Sequence, residues 1–475
     1  MGNSVQLNIR REIICDTVVV GGGVAGCAAA ISAARNGSDT VLIEASGCLG
    51  GQATLGLVTP LDARRTVSGK KFGGLLNEIA VQTVELSKKY CTCGEDENKV
   101  WDIASPHILK YVLIDLLDKA GAKIHFHSTV ISAETENSII KSVIVADKSG
   151  LTKFTAKTFI DASGDADLVA LSGAEYVLGS QEGDLDALIE SGLNKSHFSE
   201  NSFAGYNHTG YMQPVSIFFL MGGVDVEKAY LLNNKDLKFG DLGITKERFE
   251  KWEFAGTCGF EITGDAIPMP QGRVLVTHST RKDVAVINMS RVVNINGSDA
   301  DDLDKGELLA QKQLIALVDF LKTFIPGFEN SYYIQSGFTL GVRETRRMVG
   351  RYTLKGIEAI NCKVFEDRVA RGSYIIDIHD PTGKARAIGG EIKGDYYDIP
   401  YGSIVSKDFD NLLACGRCIS ADHVAHSSTR IQGTCILTGQ ASGTAAAMAA
   451  KENINAADVN VSALQENLRK DDMFI

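Results

Sequence analysis

Residues 16–26 read D-T-V-V-V-G-G-G-V-A-G, an alanine-rich stretch follows, and T-V-L-I-E occupies residues 40–44. The first β-branched run predicts a strand, the small residues after it a helix, and the second run a parallel neighbour strand that ends in an acid. Each glycine of the intervening G-x-G-x-x-G has its own role. Gly21 makes the tight turn, Gly23 lets a pyrophosphate reach the backbone, and Gly26 lets helix and strand pack closely. Val24 and Ala25 open the helix, where unpaired N–H groups and the positive end of the helix dipole favour phosphate. Glu44, with Ala45 beside it, sits at the tip of the second strand, where a carboxylate can grip a ribose diol. It lies 18 residues past Gly26, close to the expected spacing of roughly 20. A chain with 48 glycines can match the glycine pattern by chance, but not with both strands, the helix and the acid also in place. The unit predicts a dinucleotide site.

Further fragments of the same kind lie far apart in the chain. Gly50-Gly51-Gln52 is a glycine pair suited to a loop lying against phosphate or a ribityl chain. Residues 158–161 read as a buried strand that ends in a small-residue turn, Ala162-Ser163-Gly164, and Val130 lies in a strand-like run before it. Residues 411–415 read as another strand with Gly416 and Arg417 at its tip, and a helix is expected to start near Gln432, Gly433 and Thr434. A nicotinamide domain is normally finished within one contiguous stretch, whereas a flavin domain can return at the end of the chain. The cofactor expected is therefore FAD rather than NAD.

With these motifs the chain resembles the FAD-dependent oxidoreductases of the glutathione-reductase superfold. Within them it resembles the group of fumarate reductase, succinate dehydrogenase and tricarballylate dehydrogenase flavoproteins. The middle of the chain is similar to less familiar members through residues 341–347 (G-V-R-E-T-R-R), 377–381 (D-I-H-D-P) and 398–401 (D-I-P-Y). The run from His426 to Gly433, H-S-S-T-R-I-Q-G, resembles the group's H-G-x-N-R-L-G-G, which implies that Arg430 clamps a substrate carboxylate. One position departs from the pattern. The group has a ribityl-binding acid after the glycine that Gly416 matches, and here Arg417 stands there, so that it can face the substrate instead.

The fold class expected is α/β. A Rossmann-like FAD-binding domain is split between residues 1–170 and 400–475, and an inserted α+β substrate domain over residues 171–399 contains a mainly antiparallel sheet. Strands are read at 215–220, 273–277 and 284–289. A helix runs from a capping-box-like S-D-A-D at 298–301 to residue 324, where Pro326-Gly327 ends it. The acidic stretches 183–190 and 194–207 read as loops covering the site.

A net charge of −11 argues against nucleic acid or an anionic membrane surface as partner. No run of about 18 apolar residues predicts a membrane span, and the N-terminus has no charged-then-apolar leader. Gln6 stands where a myristoylation signal needs Ser or Thr. The expected setting is cytoplasmic and the expected partners are a small-molecule substrate and an unidentified electron donor or acceptor, with homo-oligomerisation left open. The ten cysteines read as reduced core residues. Cys415 and Cys418 form a C-x-x-C, but a flavin disulfide reductase would need a second nucleotide fingerprint, which the chain lacks. No His/Cys spacing suggests a metal.

The catalytic candidates are His379, His423, His426, Arg430, Tyr401 and Arg343. Histidine suits proton transfer because its ordinary pKa of about 6.5 lies near operating pH, and arginine's planar fork suits a carboxylate. His379 is flanked by Asp377 and Asp380, which can orient it or cap a turn. His107, His125 and His127 read as structural, as do Arg346 and Arg347, with Glu344 pairing one of the two arginines. The start of the last helix, near Gln432, would stabilise an anionic reduced flavin. The function expected is a dehydrogenase or reductase that moves hydride between a small, polar, carboxylated substrate and flavin N5. The alternatives are an oxygen-using oxidase or hydroxylase, and a non-redox enzyme with structural FAD.

Overall fold

The computed structural model describes residues 8–91, 105–193, 209–233, 235, 237–245, 249, 267, 269–381 and 387–475. At its centre is a five-stranded parallel sheet in the order Leu412–Ala414, Thr158–Asp161, Thr17–Val20, Thr40–Ile43, Lys123–His125. Every residue of the three middle strands is buried, as continuous β-branched runs require when both faces of a parallel sheet are covered. From Thr17–Val20 the chain winds outward on one side and returns to the other. The crevice at the carboxyl end of that strand is thus the topological switch point, where α/β sheets bind ligands.

Alternation along the strands feeds two cores. Val19, Leu42 and Ile160 belong to a core shared with the helices Val24–Arg35, Pro106–Ala120 and Gln432–Glu452. Val18, Val20, Val41 and Ile43 belong to a second core with Val143, Val145 and Phe154. Those three come from a four-stranded sheet, ordered Ile9–Ile14, Gly150–Thr155, Ile139–Asp147, Thr129–Glu136, that covers the opposite face. The long helix Gln432–Glu452 crosses Val24–Arg35 at backbone contact. A Cβ on Gly439 would stand 2.2 Å from the Ala25 carbonyl oxygen, and one on Gly443 2.1 Å from that of Ala29. Ser32 and Thr444 share a hydroxyl–hydroxyl hydrogen bond of 2.8 Å at the same crossing. This is how residues near 440 come to back the glycine motif of residues 21–26.

Between Asp161 and Leu412 the chain builds a separate antiparallel sheet, in the order Val276–His278, Val284–Ile287, Phe219–Gly222, Tyr332–Ser336. The helix Ala300–Phe324 packs Ala310, Leu314, Leu317 and Leu321 into one core with Phe219 and Met221. Its cap lies one residue later than the sequence pattern suggests: Asp299 accepts from the Asp302 N–H at 3.0 Å, while the Ser298 hydroxyl turns to Asn296. The strand read at 215–220 is only bridged at Val215 and Ser216 and becomes regular at Phe219–Gly222. Part of the stretch read as an acidic loop, 183–190, is a short helix, Asp186–Ser191, whose Leu188 is buried with Ile376 and Ile378. The apolar anchor decided that element over its acidic composition. The stretch 194–207 lies outside the described residues.

The described residues also form two-stranded ribbons, one of them pairing Ile376–His379 with Ala387–Gly390. In the strand Ile376–His379, Ile376 and Ile378 are buried while Asp377 and His379 alternate onto the other face. Replacing Gly443 by valine should force the crossing helices apart and cost roughly 3 kcal/mol, at the upper end for overpacking. A Tm equal to that of the unaltered protein would show that the crossing is not as tight as described.

Candidate active site

The glycine turn has the geometry that its spacing implies. Gly21 has φ of +101°, and a Cβ there would meet the Ala162 carbonyl oxygen at 2.5 Å. A Cβ on Gly26 would lie 1.9 Å from the Gly21 carbonyl oxygen, so helix and turn touch through backbone alone. Gly23 is different: nothing lies within 4 Å of where its Cβ would be, and it borders open space. That space is a cavity of ≈ 560 Å³, within the usual range for ligand sites.

One end of the cavity is walled by Gly21–Ala25, Glu44 and Ala45, Gly50–Ala53, Ser128–Val130, Ala162–Asp165 and Cys415–Arg417. The Gly50 N–H donates to the Gly22 carbonyl at 2.8 Å, which joins the two glycine loops. Glu44 accepts from the N–H of Gly22 at 2.6 Å and from the N–H and hydroxyl of Ser46 at 2.7 and 2.6 Å. The helix Val24–Arg35 has no side-chain cap, so its first N–H groups remain for a ligand. These features fit an extended dinucleotide: an open glycine face, an uncapped helix start and a strand-tip carboxylate. Arg417 bonds Asp165 at 2.7 Å, Thr345 donates to the same oxygen at 2.6 Å, and Arg417 Nη1 is buried without a hydrogen-bond partner among the described residues. Gln432 lines the cavity and donates to the Val58 carbonyl at 2.7 Å. Gly433 packs against residues 62–63 and its N–H donates to the Asp62 carbonyl at 3.2 Å. Thr434 is fully buried, and neither it nor Gly433 is part of the cavity wall.

The other end gathers Arg343, Tyr374, Asp377, His379 and Arg430. His379 Nε2 lies 3.4 Å from the Asp377 carboxylate, while its Nδ1 is buried with no partner among the described residues. Arg430 Nη2 lies 3.5 Å from the same carboxylate and donates to the Asp377 carbonyl at 3.1 Å. Arg343 is 8% exposed, and its Nη1 donates to the Pro214 carbonyl at 2.6 Å; among the described residues it forms no ion pair. Burial, with Arg343 second, pulls the His379 imidazole down to about 3. Burial, with Arg430 second, pulls Arg343 down to about 9. Burial alone would raise Asp377, but His379 and the two arginines hold it well below the ordinary carboxylate range.

Three of the sequence candidates are elsewhere. His423 donates to Glu344 at 2.8 Å, and Glu344 also receives Arg347 and, at 3.3 Å, Gln213. This cluster is fully buried behind the cavity wall. His426 joins it at 3.9 Å from Glu344, with neither ring nitrogen hydrogen-bonded among the described residues. Tyr401 is buried and donates to the Ala456 carbonyl at 2.5 Å, away from the cavity. Glu344 does pair an arginine of the 341–347 run, namely Arg347, while Arg346 bonds Asp167 at 2.5 Å. Sequence reasoning missed Tyr374, which has no motif to mark it. Asp377 was legible as a partner of His379 through the two-residue spacing. Cys415 and Cys418 are buried free thiols, and burial pushes both well above the ordinary thiol range, which makes them poor nucleophiles.

The family pattern described as "FAD dependent oxidoreductase" matches residues 16–468, and the chain belongs to that family. FAD is therefore its cofactor, and the glycine cradle is built to hold one. Among solved structures the chain is similar to a geranylgeranyl bacteriochlorophyll reductase-like protein from Thermoplasma acidophilum, at 15% identity and a TM-score of 0.43, over 97% of this chain and 84% of that one. It is similar to p-nitrophenol 4-monooxygenase from Pseudomonas putida DLL-E4, at 10% identity and a TM-score of 0.43, over 96% and 84%. It is also similar to glycine oxidase from Geobacillus kaustophilus, at 11% identity and a TM-score of 0.38, over 92% and 95%. No curated protein matches the chain. The membership in the family rests on the family pattern over residues 16–468.

A valine at Gly23 would project its side chain into the cavity, so Gly23→Val should fold but purify without flavin. A full complement of FAD in that variant would show that the loop does not carry the cofactor. The site also predicts acid sensitivity. His379 in the folded chain titrates near 3 instead of 6.5, so between those values the unfolded chain binds a proton that the folded chain refuses. Its share of stability is present above pH 6.5 and is lost as pH falls toward 3. Accordingly, His379→Gln should show a shallower fall in Tm between pH 6.5 and 4.5 than the unaltered protein. Parallel curves would mean that His379 titrates normally.

Proposed function

We propose that this FAD-dependent oxidoreductase is a dehydrogenase or reductase of a small carboxylated substrate, with Arg343 holding the carboxylate and His379 moving the proton. The observation that carries the reading is Arg343 itself: a buried guanidinium on the cavity wall with one carbonyl contact and, among the described residues, no ion pair of its own, the carboxylate that acts on it, Asp377, being paired with Arg430. Burying a cation uncompensated is costly, and a bidentate carboxylate removes that cost while it fixes the substrate's orientation. Bound FAD supplies the hydride acceptor or donor.

The rest of the site supports the same division of work. An Asp377 carboxylate that stays ionised accepts from Nε2–H of His379, which leaves Nδ1 as the bare nitrogen, able to take a proton. Arg430, placed by its resemblance as the clamp, is engaged with Asp377 and acts here to orient that carboxylate. The low proton affinity of His379 keeps it in the accepting form until a substrate carboxylate against Arg343 shifts the balance upward.

The test is anaerobic bleaching of the flavin by a panel of small carboxylic acids. Arg343→Lys keeps the charge but not the fork, and Arg343→Met keeps neither. Bleaching rates at limiting acid should fall by about tenfold or more in the lysine variant, if a charge-assisted contact of roughly 1.5–3 kcal/mol is weakened. The methionine variant should lose more. Rates unchanged in both variants, with FAD retained, would remove Arg343 from the site.

A further inference from the structure

At the substrate end two arginines, Arg343 and Arg430, share one carboxylate, Asp377. Arg430 faces Asp377 at 3.5 Å, and the same carboxylate takes the neutral His379. Arg273 and Asp62 act on the Tyr374 hydroxyl with opposite sign. Arg291 donates to the Asp380 carbonyl at 2.7 Å, and Asp380 carries the opposite charge. Among the described residues Arg343 makes no ion pair of its own, and its hydrogen bond goes to the Pro214 carbonyl. Asp377 lies beside the second arginine, Arg430.

Resting on the reading of Arg343 as the carboxylate clamp, we propose that the site selects monocarboxylates and rejects di- and tricarboxylates, with Asp377 as the residue that sets this limit. A second ionised carboxylate entering the cavity would find Arg430 already neutralised and would face the Asp377 carboxylate. It would lose its water without gaining a cation, and like charges placed together oppose binding. A neutral oxygen is treated differently. Arg430 Nε is buried without a partner among the described residues and can donate to a hydroxyl or carbonyl next to the held carboxylate.

The experiment titrates the FAD-loaded protein, at low ionic strength, with acetate, glycolate and lactate and separately with succinate and tricarballylate. It follows the change in the flavin's visible absorbance as each acid binds. The expected result is saturable binding of the monocarboxylates, with succinate and tricarballylate weaker by about tenfold or more. Asp377→Asn should shift the preference toward succinate, because it frees Arg430 and raises the site's charge by one. Succinate or tricarballylate binding the unaltered protein as tightly as the monocarboxylates would overturn the proposal while leaving the Arg343 clamp standing. Binding of no carboxylate at all would overturn both. An Asp377→Asn variant that keeps its FAD and its preference would overturn the role of Asp377. If that variant does not fold, the comparison in the unaltered protein still decides whether one carboxylate is the limit.

Discussion

A guanidinium held out of water with no ion pair of its own among the described residues, that of Arg343, is the constraint around which this end of the cavity is organised. Such a group costs several kcal/mol unless another charge arrives to meet it. The chain could have neutralised Arg343 locally, since Glu344 is its neighbour. Glu344 instead turns the other way, into the buried cluster of Arg347, His423 and Gln213. The two consecutive charges thus serve opposite ends: one locks the segment into the fold, and the other is left facing the cavity.

The lock is extensive. Arg347 also donates to the Ala421 and Gly179 carbonyls, at 2.8 and 2.7 Å, and so joins three distant stretches of chain through one side chain. Gln213 donates to Glu344 and accepts from the His379 N–H at 3.0 Å, which links the buried cluster to the backbone of the strand that carries Asp377 and His379. Removing one member of such a network leaves the others buried and unpaired, so it resists distortion. The cofactor end is rigid for another reason. Gly26, Gly439 and Gly443 bring backbone against backbone, which leaves no side chain to rearrange.

The cofactor end was legible in the sequence because its signals are local. A tight turn, a helix start and a strand-tip acid all fall within residues 16–45 and follow fixed spacings, and the helix expected near Gln432 begins there. The substrate end was only partly legible, because its geometry rests on pairings across the chain. Arg430 and Asp377 are separated by 53 residues and His423 and Glu344 by 79. No spacing rule shows which of the two arginines makes the ion pair with Asp377. His423 and His426 are indeed next to the flavin-side helix in sequence, yet the short helix His423–Thr429, capped by Asp422, turns both toward Glu344. The sheet of residues 129–155 that covers the second face of the parallel sheet left no motif, because its alternation resembles that of any half-buried strand.

The most direct test of Arg343 as the carboxylate anchor is a crystal structure of the FAD-loaded protein grown with a saturating small monocarboxylate. The carboxylate is expected against the Arg343 guanidinium at about 2.8 Å, the usual charge-assisted distance, with the Arg430–Asp377 pair intact. A carboxylate bound elsewhere in the cavity, with Arg343 neutralised by a side chain of the protein itself, would contradict that role.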